Sequence, residues 1–92
     1  MKKVLVTLLA KKPCELSNFL KSYYEKEIII EEGAFSWSCF FERPSESLNI
    51  LSSIIDNSDK YSIEPILTIN KETTLKVNDN NFNDIVKLFI WI

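Results

Sequence analysis

Residues 35–42 read FSWSCFFE, and the alternation within this stretch decides the predicted fold. Successive side chains of a strand point to opposite faces of a sheet, so the pattern predicts a strand with two distinct faces. One face is expected to carry Phe35, Trp37, Cys39 and Phe41, and the other Ser36, Ser38, Phe40 and Glu42. The first set is apolar enough to face a core, which leaves Phe40 pointing away from it.

A second strand is predicted immediately before this one, over residues 27–32 (EIIIEE), because its isoleucines favour strand structure. Gly33 and Ala34 lie between the two segments and are typical of a tight turn. The sequence therefore predicts a β-hairpin over residues 27–42.

The N-terminal segments predict a strand followed by a helix. Residues 4–9 (VLVTLL) are apolar on both faces, which is typical of a central strand. Pro13 is favoured in the first turn of a helix, and Glu15 is placed to meet the positive end of the helix dipole. The apolar stripe of this helix is expected to consist of Leu16, Phe19, Leu20 and Tyr23.

The segments after residue 43 predict a helix, two strands and a last helix. Pro44 begins a helical pattern that ends at residues 57–59. The strand predicted over residues 61–69 contains Pro65, which lacks an N–H donor, so we expect it at a sheet edge or with a bulge. Residues 73–77 can pair back onto it. The spacing of Phe82, Ile85, Val86 and Phe89 favours a helix over residues 82–92, capped by Asn80 or Asn81, although residues 85–92 also have strand propensity.

The order β-α-β-β-α-β is that of the ferredoxin-like split βαβ sandwich, here with an added C-terminal strand and helix. We expect residues 1–92 to form a single α+β domain with two helices on one face of the sheet. The uncovered face is then expected to carry Leu5, Leu9, Ile29, Phe40 and Ile66. A monomer rarely exposes such a patch, so either the C-terminal segment or another chain is expected to cover it.

The composition argues against several kinds of chemistry. The chain has no histidine, the commonest general base and metal ligand, and its single glycine excludes a P-loop and a dinucleotide-binding motif. Its two cysteines, Cys14 and Cys39, form no metal-binding motif. We therefore expect a protein that is not an enzyme and that has no cofactor and no metal. An enzyme that uses carboxylates or lysines in a dimer cleft is the alternative.

The charge and hydropathy of the chain indicate a cytoplasmic protein. The net charge is -2, so the basic surface typical of nucleic-acid binding is missing and nucleic acid is not the expected partner. No apolar run approaches the roughly 18 residues of a membrane helix, so no membrane association is expected. Unpaired thiols fit a reducing cytoplasm, and the abundance of Ile, Asn and Lys suggests an AT-rich genome such as a bacterial one.

Acidic residues flank the predicted hairpin, with Phe40 among them. An exposed aromatic side chain with a polar rim is typical of protein interfaces. The residues expected to bind a partner are Glu31, Glu32, Phe40, Glu42 and Glu46. This pattern predicts a protein-binding module, such as an inhibitor or a toxin-neutralising immunity protein, that occludes a basic surface of another protein. The alternative is a small-ligand or regulatory domain that forms a homodimer through its sheet.

Overall fold

The computed structural model of the chain describes residues 3–25 and 30–90. Over these residues it is a small α+β domain with a four-stranded antiparallel sheet and three α-helices, so the α+β part of the predicted fold class is confirmed. The strands are β1 (Val4–Ala10), β2 (Ser36–Phe41), β3 (Ile63–Ile69) and β4 (Thr73–Lys76), and the helices are α1 (Glu15–Tyr24), α2 (Ser47–Asp56) and α3 (Phe82–Ile90). A short 3-10 helix, Pro44–Glu46, precedes α2.

The strand β1 lies inside the sheet, as its two apolar faces predict. The order of the strands is β2-β1-β3-β4, and each neighbouring pair is antiparallel. Val6 of β1 lies opposite Cys39 of β2 on one side and Leu67 of β3 on the other. Both edges of β1 are therefore paired with a neighbouring strand, and its apolar composition suits that central position.

The predicted hairpin over residues 27–42 is not formed by the described residues. Residues 27–29 lie outside them, and residues 30–32 are not in a strand, although a turn does occur at Gly33. The backbone of this segment is hydrogen-bonded elsewhere: the carbonyl of Glu32 accepts from the N–H of Cys14 at 3.0 Å. The carbonyl of Phe35 accepts from the N–H of Ala10 at 2.8 Å. These bonds attach the segment to the end of β1 and the start of α1.

The strand that contains Pro65 does not lie at the edge of the sheet, contrary to expectation. It is β3, between β1 and β4, and it pairs with β4 only from Ile66 onward. The N–H of Val77 donates to the carbonyl of Pro65 at 2.9 Å. An antiparallel pair of this kind normally exchanges two hydrogen bonds, and proline cannot donate the second. Pro65 therefore ends the ladder between β3 and β4 without breaking the one to β1.

The three helices bury their apolar side chains on a single face of the sheet. The predicted C-terminal helix is confirmed as α3, with Ile85 and Phe89 buried one turn apart. These side chains belong to the same core cluster as the inward residues of the strands. Fully buried members of that cluster include Val6, Leu8, Leu20, Ile50, Leu51 and Leu67. The C-terminal segment was one of the two expected covers of the opposite face. Through α3 it packs on the core side instead.

The start of α3 is fixed by asparagines, although not through the predicted cap. The side-chain oxygen of Asn78 accepts from the N–H groups of Asn80 and Asn81, at 2.9 and 3.1 Å. Asn81 directly precedes the helix, but its side chain bonds backward, to the N–H of Asn78 and the carbonyl of Lys76. These bonds join the end of β4 to the start of α3.

Candidate functional site

The candidate site is the face of the sheet opposite the helices, named here the open face. In β1 and β3 every second residue is buried in the core and the residues between them are half-exposed. The strand register assembles the half-exposed and exposed residues into three rows. The rows are Phe40, Leu5, Thr68 and Thr74; Ser38, Thr7, Ile66 and Lys76; and Ser36, Leu9 and Glu64.

Phe40 is the most exposed apolar side chain of the open face. It lies directly opposite Leu5, and 68% of its surface is accessible to solvent. Trp37 lies on the other face of β2 and packs against the core, so the predicted assignment of the two aromatic residues is confirmed. Leu5, Leu9 and Ile66 lie on the open face as expected, whereas Ile29 lies outside the described residues.

Phe35 differs from its expected position. It was predicted to face the core with Trp37, but it precedes β2 and half of its surface is exposed. The reason is that its carbonyl is bonded to Ala10 at the end of β1, where the sheet and its core face stop.

The hydroxyl groups of the open face bond to one another. Thr7 and Ser38 are neighbours across β1 and β2, and their hydroxyl oxygens lie 3.1 Å apart. Thr68 and Thr74 form the same arrangement across β3 and β4, at 3.3 Å. Cross-strand pairs of this kind stabilise a sheet modestly. They also mean that these hydroxyls have hydrogen-bond partners without any contribution from a ligand.

The charges at the two ends of the open face are paired. Lys76 and Glu64 form an ion pair at 2.8 Å, and Lys3 and Glu42 form one at 3.5 Å. The hydrogen bond from Lys76 lowers the pKa of Glu64, and the same bond raises the pKa of Lys76. Each acidic group on this face therefore has a basic neighbour, and the face as a whole is close to neutral.

The four glutamates predicted to bind a partner lie at two opposite ends of the sheet. Glu31 and Glu32 lie beside the last residue of β1, because their loop is bonded to Ala10 and Cys14. Glu42 follows the other end of β2, beside Val4, and Glu46 lies in the 3-10 helix that comes after it. All four are exposed. The six residues of β2 separate the two pairs by roughly 20 Å, so only Glu42 and Glu46 lie at the end where Phe40 is found.

A groove that the sequence did not predict lies between the end of α2, β3 and the segment after β4. Its volume is about 480 Å³. Ile54, Ile55, Ile63, Pro65 and Val77 supply its apolar lining, and Lys11, Ser58, Tyr61, Ser62, Glu64, Lys76, Asn78 and Asp79 supply polar groups. These residues come from distant parts of the chain, and no local pattern brings them together.

The described residues contain few groups that suggest catalysis. No cluster of three metal-ligating side chains occurs among them. Cys14 and Cys39 are free and half-buried, and burial raises the pKa of the Cys39 thiol, which makes it a poorer nucleophile at neutral pH. Within the same residues, every helix is too short or too polar to cross a bilayer.

The chain matches no protein-family model, no curated protein and no solved structure. The interpretation of the open face and the groove therefore depends on their own residues.

Proposed function

We propose that the chain is a non-enzymatic protein-binding module that binds its partner through the open face. The observation that carries this proposal is Phe40, which lies next to Leu5 with 68% of its surface exposed, on a face where the described helices bury nothing. Exposed apolar patches with polar rims mark interaction sites, and aromatic residues are enriched at the centre of interfaces. Burying Phe40 and its neighbours supplies the driving force for association.

The partner surface is expected to be apolar at its centre. The charged groups of the open face are already paired with each other, so a partner gains little from neutralising them. An inhibitor that occludes a basic surface would have to use Glu42 and Glu46, since Glu31 and Glu32 lie at the other end of the sheet. The proposal therefore assigns most of the affinity to Phe40 and a smaller part to these two carboxylates.

Capture of binding proteins by two matched variants tests the proposal. Phe40→Ser removes an apolar side chain from the open face, and Ile90→Ser removes one of equal exposure, 68%, from α3. A partner of the open face is captured by the wild type and by Ile90→Ser, and Phe40→Ser lowers its affinity at least tenfold, as expected for a central interface residue. Equal affinity of all three proteins for every captured partner would refute the proposal.

Charge reversal at the two ends of the sheet tests the contribution of the glutamates. The double variant Glu42→Lys and Glu46→Lys alters the end near Phe40, and Glu31→Lys with Glu32→Lys is the matched control at the far end. If the captured partner has a basic surface at the Phe40 end, only the first variant lowers the association rate at low salt. If the two variants had equal association rates, a basic partner surface at the Phe40 end would be excluded. The proposal of an apolar contact at Phe40 would remain.

We also propose that the fold is a variant of the ferredoxin-like sandwich. The described residues form β1-α1-β2-α2-β3, which is one strand short of that order between α1 and β2, and β4 and α3 follow. The central strand β1 has an antiparallel neighbour on each side, β2 and β3, and α2 connects these two neighbours across it. An experimental structure showing a strand beside the outer edge of β2 would complete this topology, and a helix or loop there would exclude it.

The groove supports a second candidate function, the binding of a small ligand. Its volume of about 480 Å³ lies within the range of ligand sites. Its lining combines five apolar residues with eight that supply polar groups, so a ligand with both polar and apolar parts is expected. A thermal-shift screen of small metabolites tests this function, with Ser58→Trp as a variant that fills the groove from an exposed position. A ligand that stabilises the wild type and not the variant would establish the site, and a screen without any stabilising compound would count against it.

A further inference from the structure

We infer that the partner of the open face is a second copy of this chain, which binds face to face as a weak two-fold dimer. This inference rests on the proposed function of the open face and adds the identity of the partner. Three properties of that face support it: its shape, its balance of charge and the state of its polar groups.

The shape of the open face suits another sheet. Four antiparallel strands form it, and its side chains stand in regular rows set by the strand register. Two such faces pack about 10 Å apart with their side chains interdigitated, as the two sheets of a β-sandwich do. In a two-fold pair the same patch serves both copies, so a bulky side chain such as Phe40 has to meet smaller ones. The face provides these as serine and threonine in every row.

The charges of the open face permit self-association. A face with an excess of one sign would repel its own copy, because a two-fold interface places identical patches together. This face has Lys3 beside Glu42 at one end and Lys76 beside Glu64 at the other. Neither end of the face has an excess of one sign, so the face does not repel its own copy, and these ion pairs leave none of their four charges unpaired.

The polar groups at the centre of the face do not oppose burial. The hydroxyls of Thr7 and Ser38 are hydrogen-bonded to each other, and so are those of Thr68 and Thr74. Covering a polar group that has kept its hydrogen bond avoids the penalty of leaving it unsatisfied. In each pair one hydroxyl donates to the other, so a second sheet has to provide an acceptor only for the one remaining O–H group of each pair.

The size of the face indicates a weak dimer. Four strands about 4.8 Å apart and three rows of side chains span roughly 400 Å² of flat surface on each copy. Stable interfaces usually bury roughly 1,200–2,000 Å² in total. Two copies of the open face would bury less than that, so their contact belongs with weak and transient ones. The dimer is therefore expected to dissociate on dilution.

Sedimentation velocity of the purified chain from about 10 µM to about 1 mM tests the inference, since weak association appears only in the upper part of that range. The weight-average mass is expected to rise from the monomer value of 10.7 kDa toward twice that value. Phe40→Ser is expected to stay monomeric throughout, and Ile90→Ser to dimerise like the wild type. The urea midpoint of each variant, measured in the same buffer, shows whether both remain folded.

The outcomes separate this inference from the proposed function. A wild type that stays monomeric up to about 1 mM would overturn the inference, and the proposed function would stand if Phe40→Ser still lost a captured partner. Loss of the dimer in Ile90→Ser and not in Phe40→Ser would also overturn it, because α3 would then be the interface. If Phe40→Ser is unfolded, the milder substitutions Phe40→Tyr and Leu5→Thr replace it, and an unchanged dimer in both would reject the open face.

Discussion

The two faces of the sheet are built by the same strands and yet have different roles. On β1, Leu8 is completely buried under the helices, whereas Leu9 beside it is half-exposed on the open face. The buried leucine belongs to the core cluster that joins all three helices to the sheet. The exposed one has no such contacts. Apolar residues on the open face are therefore expected to contribute less to folding than their neighbours on the core face.

Replacing each of these two leucines by alanine tests the comparison most strongly. Leu8→Ala leaves a cavity in the core and is expected to lower the free energy of unfolding by about 3 kcal/mol. Leu9→Ala removes a half-exposed side chain and is expected to cost about 1 kcal/mol or less. Urea denaturation at a protein concentration too low for association measures both. Similar losses would mean that the open face is covered within the monomer, which would remove the basis for its proposed role.

Two serines extend the comparison to polar groups. The hydroxyl of Ser47 is fully buried at the start of α2 and donates to the carbonyl of Pro44 at 2.6 Å. Ser36 is exposed on the open face. Ser47→Ala is expected to lower the free energy of unfolding by about 1 kcal/mol, because it removes a buried hydrogen bond. Ser36→Ala is expected to change it by less than about 0.5 kcal/mol. A larger loss for Ser36→Ala would show that the open face is part of the folded core.

The assignment of residues to the two faces could be predicted from the sequence because it depends on local periodicity. The alternation in residues 35–42 placed Trp37 toward the core and Phe40 away from it, and the structure confirms both. The helical spacing of Ile85 and Phe89 likewise predicted α3 over the competing strand. In each case the burial of one face selects a single register, since a shift by one residue would expose the core side chains.

The features that the sequence did not predict depend on long-range contacts. The isoleucines of residues 27–32 favour a strand, but the carbonyl of Glu32 accepts from the N–H of Cys14, which is distant in the chain. This attachment keeps Glu32 at the opposite end of β2 from Glu42. The sequence had suggested a single acidic cluster, because both residues flank the same predicted hairpin. The groove joins three separate segments of the chain. The proline of β3 suggested an edge strand because the sequence does not show where the neighbouring ladder ends.

The smallest expected effect concerns the ion pair of Glu64 and Lys76 on the open face. The pKa of Glu64 is lowered from its ordinary value of 4.5, chiefly by the hydrogen bond from Lys76. A lowered pKa in the folded state contributes stability above the unfolded value, and this contribution is lost as the pH falls through the folded pKa. The pKa of Lys76 is raised from 10.5, so its contribution is present below that value and is lost at higher pH. The pair therefore stabilises the fold between these limits.

Lys76→Met is expected to raise the pKa of Glu64 back toward 4.5, because it removes the hydrogen bond that lowers it. Titration of the Glu64 carboxyl by NMR measures the change, and Lys87→Met on α3 is the control, since its lysine is exposed. The change in stability is expected to be slight, as for other surface ion pairs. If Lys76→Met left the Glu64 titration unchanged, the charges of the open face would not be paired in solution. A strongly charged partner would then fit that face better than a second copy of the chain, because unpaired carboxylates gain more from a basic surface.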